Sequence, residues 1–223
     1  MKKFTIKEII DFRRKTIRTR ENFIKKISKE KITTDSGGDY WISAVSALSR
    51  AFKTQNNLEI TNKINDLLVD VENTKYKRTK MMYQRNLDIL HNFEDFAFER
   101  LKPNHEIKFL KKPELLAIVE ILKLPVKIKP THVYTFDRKG IKYIGGLWLA
   151  CKLNGYTTQE LASFSEGLFK YLEKNYSTEY VIDTDYCIAL DTFNGNIVSY
   201  SDIKTGTQHT ILDATIPLIQ AII

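Results

Sequence analysis

The sequence predicts an α+β protein in which a helical, basic N-terminal region precedes a mixed β-sheet carrying a packed amphipathic helix. Three observations lead there. Residues 114–153 hold the densest run of β-branched and aromatic residues, and Pro130 and Asp137–Gly140 cut that run into successive strands. Upstream, apolar residues recur at helical spacing. Charge is also divided unevenly: residues 1–31 carry twelve Lys/Arg against four Asp/Glu, which is the entire net surplus of +8.

Taken in order, Thr5 to Ile27 reads as a first helix. Thr5 and Glu8 form a capping-box pair, and Ile6, Ile10, Ile17, Ile24 and Ile27 approximate one stripe. Thr33 to Asp39 is a turn around Gly37-Gly38. Tyr40 to Phe52 is a second helix with Trp41, Val45, Leu48 and Phe52 on one side, a spacing that reads as core packing, with an aromatic ligand platform as the minor alternative. Asn57 to Val71 makes a third through Leu58, Ile64, Leu67, Leu68 and Val71. Lys75 to Phe93 makes a fourth, its first turns holding Lys75, Lys77, Arg78, Lys80 and Arg85 against the helix dipole. Pro103 and Pro113 punctuate the segment beyond that helix, so the chain divides into a helical basic region, residues 1–112, and an α/β sheet domain, residues 113–223.

Within the second region, Leu115 to Leu122 is an apolar run that fits strand or helix, and Val126 to Lys129 alternates as a strand. Thr131 to Phe136 and Ile141 to Cys151 are strands joined at Asp137–Gly140, completing a meander. Gly145-Gly146 marks a bulge or a close backbone approach. Thr158 to Tyr176 is an amphipathic helix through Leu161, Phe164, Leu168, Phe169 and Leu172. Tyr186 to Thr192 and Ile197 to Tyr200 are strands flanking Asn194-Gly195, and Ile211 to Ile223 is a closing helix unless Pro217 stops it.

Several function classes find no support. No apolar run approaches the ~20 residues that span a bilayer, and Lys7, Glu8 and Asp11 break any signal-peptide core, so no membrane partner is expected. Cys151 and Cys187 read as reduced core thiols, which fits a cytoplasmic protein. His91, His105, His132 and His209 are dispersed without zinc-ligand spacing, and His132 reads as a satisfied sheet residue. Phosphate-binding glycine motifs and a nucleophile elbow are absent, and Trp148 reads as core. The residues therefore imply no cofactor, no metal ligands and no catalytic set.

The order helix, strand meander, amphipathic helix, strand over residues 115–200 resembles the core of the PD-(D/E)XK nuclease superfamily. That resemblance implies an Asp after Pro on the second strand and Glu-x-Lys on the third, two carboxylates holding Mg²⁺ and a Lys orienting the attacking water. Here Pro130-Thr131 and Ala150-Cys151-Lys152 stand at those places, so only Lys152 matches. The resemblance thus implies a degenerate nuclease-like domain. Carboxylates migrated to Asp137, Asp183, Asp185 or Asp191 would instead make an active, metal-dependent nuclease of a mobile element or defence system. The basic N-terminus points to an acidic partner, foremost nucleic acid, met by Arg13, Arg14, Lys15, Arg18, Arg20, Lys25 and Lys26. An acidic surface of a protein complex is the alternative partner.

Overall fold

The computed structural model describes residues 2–29, 40–111 and 117–223. The turn expected over Thr33–Asp39, the division between residues 112 and 113 and the start of the Leu115 run lie outside the described residues. The fold is α+β, with a helical N-terminal part and mixed sheets.

A short strand β1 (Phe4–Thr5) opens into helix α1 (Ile6–Arg13), whose capping box is the one the sequence predicts. The single helix expected from Thr5 to Ile27 is two helices. The chain leaves helical geometry after Arg14, turns extended at Thr16 and restarts as α2 (Ile17–Ser28). That break throws the isoleucine stripe out of phase: Ile6, Ile10 and Ile24 are buried, whereas Ile17 is 82% exposed.

Helices α3 (Ile42–Thr54), α4 (Leu58–Asn73) and α5 (Lys77–His91) form a three-helix layer. In α4 the buried stripe is Ile60, Ile64 and Leu67, spaced i, i+4 and i+7; Leu58 and Leu68, expected inside, face solvent. Asn86 ties the layer together. Its side-chain oxygen accepts from Ala44 N at 2.9 Å, and its amide donates to Tyr40 O and Met82 O, both at 2.9 Å.

Two sheets complete the fold. Strands β2 (Ile107–Phe109), β5 (His132–Arg138), β6 (Ile141–Ala150), β7 (Val181–Asp191) and β8 (Ile197–Ser199) make a five-stranded sheet in the order β2-β5-β6-β7-β8. Strands β3 (Ile118–Ile121) and β4 (Leu124–Lys127) make a second, three-stranded sheet with β1 in the order β1-β4-β3. The expected three-strand meander is thereby divided, because β4 pairs with β1 and β3 rather than with β5. Pro130 separates β4 from β5 and brings no N–H to a ladder. The ambiguous apolar run resolves as the strand of a β3–β4 hairpin. Its turn residues Leu122 and Lys123 both have positive φ (47° and 65°), a conformation neither side chain signals.

Strands β6 and β7 run parallel, joined by the long helix α6 (Thr158–Tyr176). Their register shifts between Ile144 and Gly146. A Cβ on Gly145 would sit 2.7 Å from the Tyr186 carbonyl oxygen, so the glycine permits the close approach that the sequence suggests. Along β6 the side chains alternate: Leu147 and Leu149 join the cluster beneath α3–α5, and Trp148 and Ala150 turn toward α6. Helix α6 lies in the other cluster, which spans both sheets together with α1 and the closing helix α8 (Leu212–Gln220). A short helix α7 (Tyr200–Lys204) precedes α8, which carries Pro217 inside it.

Candidate nucleic-acid interface

The basic N-terminal segment is held against the core by two ion pairs that cross the length of the chain. Arg14, at the end of α1, grips Glu160 of α6 through Nε at 2.5 Å and through its second nitrogen Nη2, which also reaches Gly155 O at 3.3 Å. Lys152 donates to Asp11 of α1 at 2.5 Å. Burial pushes the Glu160 carboxyl up, but the Arg14 hydrogen bond and the Thr157 cap outweigh it and hold the carboxyl below its usual value. The same bond raises the Arg14 guanidinium further above neutrality. These pairs fix α1, and α1 aims α2.

The seven cations predicted to meet a partner divide by role. Arg14 is engaged by Glu160, and Arg20 lies over the Phe12 ring at 5.1 Å while donating to Arg13 O. Both act as internal ties. Lys25 is exposed, with Glu21 at 3.9 Å one turn away, a pair worth about 0.3–0.5 kcal/mol and easily given up. Arg13, Lys15, Arg18 and Lys26 are exposed and have no carboxylate within ion-pair distance among the described residues. Helical spacing puts Arg18, Lys25 and Lys29 on one face, opposite the stripe of Phe23, Ile24 and Ile27 that packs on the core. The second basic patch on α5 belongs to the other layer: α5 packs with α3 and α4, and Arg85 contacts the Tyr40 hydroxyl at 3.2 Å.

Between α1 and α2 runs a groove of about 880 Å³ lined by Lys2, Lys7, Lys15, Lys26 and Lys29. Its two acids are neutralised from within, Glu8 by Lys2 at 3.2 Å and Asp11 by Lys152. The groove is therefore cationic, with Lys7, Lys15, Lys26 and Lys29 lacking a carboxylate partner among the described residues. Thr5 and Lys7 also line a smaller cleft of about 240 Å³, whose walls include Trp41, Trp148, Tyr156, Phe164, Lys127 and Lys129.

The positions singled out by the nuclease resemblance do other work. Thr131 Oγ1 accepts from Leu149 N at 2.9 Å, Ala150 is buried, and Lys152 is paired with Asp11. Three of the four aspartates that could substitute as ligands, Asp137, Asp183 and Asp191, use their carboxylates in turns and pairs. Asp137 accepts from Gly140 N, and Asp183 accepts from Arg138 and from Asp185 N. Asp191 accepts from Tyr156 N, Phe193 N and Asn194. Among the described residues, no three His, Cys, Asp or Glu side chains form a metal-holding group. His132 is a satisfied sheet residue, 2.8 Å from Ser49 Oγ and flanked by Phe52 and Phe109. Cys151 and Cys187 form no disulfide with each other, and burial pushes the Cys187 thiol far above its usual range.

No family model matches the chain, and neither a curated protein nor a solved structure does. Among the described residues, no helix is long and apolar enough to cross a membrane. Sequence reasoning gave an aromatic platform only as the minor alternative on the Trp41 helix and did not join it to Trp148, because helical spacing at Trp41 and a strand context at Trp148 both read as core. Each is only half-buried. The available signal was the alternation Lys127-Ile128-Lys129, which sends two amines to the same side of the chain at and just beyond the end of β4.

Proposed function

We propose that this chain binds nucleic acid through α2 and the adjoining groove, and that its sheet region is a degenerate nuclease-like domain with a non-catalytic role. One observation carries the reading. The whole charge surplus of the chain falls in residues 1–31, and the groove there has its acids neutralised internally while Lys7, Lys15, Lys26 and Lys29 keep no carboxylate partner among the described residues. A polyanion of closely spaced phosphates is the partner such an array fits, since each cation releases a condensed counterion. Arg13, Lys15, Arg18, Lys25 and Lys26 meet phosphates; Arg14 and Arg20 position the segment that carries them. The parallel β6–α6–β7 unit with the β5–β6 hairpin supports the nuclease-like ancestry, and the neutral residues Thr131 and Ala150 support loss of its chemistry. Two cysteines left as thiols rather than joined in a disulfide support a cytoplasmic setting.

The test is affinity for duplex and single-stranded DNA and RNA at rising salt, with alanine at Arg13, Lys15, Arg18, Lys25 and Lys26. Binding at low salt that the alanine variant loses supports the reading; absence of binding at low salt overturns it. An acidic protein surface is the second reading, favoured by Ile17, an exposed apolar side chain at the start of the cationic helix. Co-purified protein in place of nucleic acid would select it.

A further inference from the structure

The cleft beside the lysine groove has a composition of its own. Register places its amines: β1 pairs with β4 so that Thr5 lies opposite Lys127, Lys129 comes next on the same side of the chain, and Lys7 is the second residue of α1, two residues after Thr5. Its floor is aromatic. Trp148 projects from β6 toward α6 and meets Phe164 edge-on at 5.1 Å, and Tyr156 meets the same Phe164 at 5.0 Å. Trp41, at the mouth of α3, and Val45 one turn on complete the wall. At about 240 Å³ the space falls below the roughly 300–1,000 Å³ of pockets for drug-sized molecules, which suits one planar ring system. Because Thr5 and Lys7 line both cavities, the aromatic cleft and the lysine groove are neighbours on either side of these two residues.

We propose that this cleft receives one unstacked base of a single-stranded nucleic acid whose phosphates lie along the α1–α2 groove, with Trp41 and Trp148 as the stacking residues and Lys7, Lys127 and Lys129 contacting the flanking phosphates. The proposal rests on the nucleic-acid reading above and refines it from any polyanion to a single strand. Aromatic side chains stack any base on its π-face, and amines around them hold the backbone without reading sequence. A duplex keeps its bases stacked internally and cannot fill such a cleft without unpairing.

The chain supplies its own reporter, because Trp41 and Trp148 are the two tryptophans of its sequence and both line the cleft. Three probes are titrated at low salt: a short oligothymidylate, an abasic strand of equal length, and the oligothymidylate annealed to its complement. Affinity is read by fluorescence anisotropy and cleft occupancy by tryptophan quenching. The base-bearing strand is expected to bind about 10-fold more tightly than the abasic one and to quench tryptophan at the same concentrations at which anisotropy rises. W148L and W41L, measured separately so that one misfolded variant does not decide the result, are expected to bring base-bearing and abasic affinities together while leaving abasic binding unchanged. R18Q/K25Q/K26Q is expected to weaken all strands and keep the discrimination. Equal salt-sensitive affinity for base-bearing and abasic strands, or a duplex bound as tightly as the single strand, overturns this inference and leaves the nucleic-acid reading standing. No binding of any probe overturns both. A free thymidine nucleotide that quenches as strongly as the strand overturns the strand assignment.

Discussion

Replacing Arg14 with Met removes the guanidinium that joins α1 to α6 and keeps an apolar stem of similar length. The Glu160 side chain is 8% exposed and Arg14 36%, so the pair lies between two regimes. Exposed pairs contribute about 0–1 kcal/mol, and truncating one partner of a fully buried pair costs about 3–5 kcal/mol. Glu160 keeps its bond from Thr157 N at 2.9 Å, which limits the loss. With the guanidinium partly screened by water, the expected cost is about 2 kcal/mol, or about 4–8 °C in Tm for a chain of this size. The pH dependence is diagnostic. In the native chain the Glu160 carboxyl is held below its usual value, so its contribution is complete above the unfolded pKa and is lost as pH falls through the folded one. Without Arg14, burial dominates and raises that pKa, so the ionised carboxyl opposes folding at neutral pH and stops opposing it once protonated. The gap between R14M and the native chain is therefore widest at neutral pH, narrows on acidification, and closes only below the usual carboxylate range, where the native Glu160 carboxyl also protonates. Thermal unfolding followed by circular dichroism across that range measures it. A gap below about 1 °C at neutral pH, or one that does not narrow on acidification, refutes the assignment of this pair as an anchor.

Two further outcomes concern stability. Asn86→Leu strands the Ala44 N–H and the Tyr40 carbonyl in the α3–α5 layer and is expected to cost about 2–4 kcal/mol, read as a lowered urea midpoint; an unchanged midpoint counts against Asn86 as the tie between α3 and α5. Leu122→Asn with Lys123→Gly supplies side chains suited to the positive φ of the β3–β4 turn and is expected to raise Tm by about 2–4 °C, near 1 kcal/mol; a lowered Tm contradicts the turn geometry.

Much of the fold was legible because local chemistry and tertiary placement agree. The Thr5–Glu8 cap, the 158–176 helix and the Gly145-Gly146 irregularity are each set by residues adjacent in sequence, and each occurs where the sequence puts it. The failures are non-local. Nothing near Arg14 announces that its partner is Glu160, and that contact accompanies the break that splits the first helix and exposes Ile17. The β3–β4 turn uses Leu122 and Lys123 in a conformation usually left to Gly or Asn, so the hairpin is invisible to turn chemistry, and with it the division into two sheets. The cationic character of the N-terminus was readable from composition. Its separation into internal ties, Arg14 and Arg20, and outward cations was not, because it depends on Glu160 and Phe12. The aromatic cleft was hidden for a related reason. Trp41 and Trp148 each fit a core pattern within their own element, and only the packing of α3 beside β6 leaves both at one cavity.

The central claim is that outward cations on one helix and its groove meet phosphates, and the slope of log affinity against log salt measures it most directly. For a single strand each neutralised phosphate contributes about −0.7, so the five side chains Arg13, Lys15, Arg18, Lys25 and Lys26 contribute about −3.5 to the slope. The R18Q/K25Q/K26Q variant is expected to flatten that slope by about 2 while the fold, followed by circular dichroism, is unchanged. A native slope near zero, or a variant slope equal to the native one, contradicts the account.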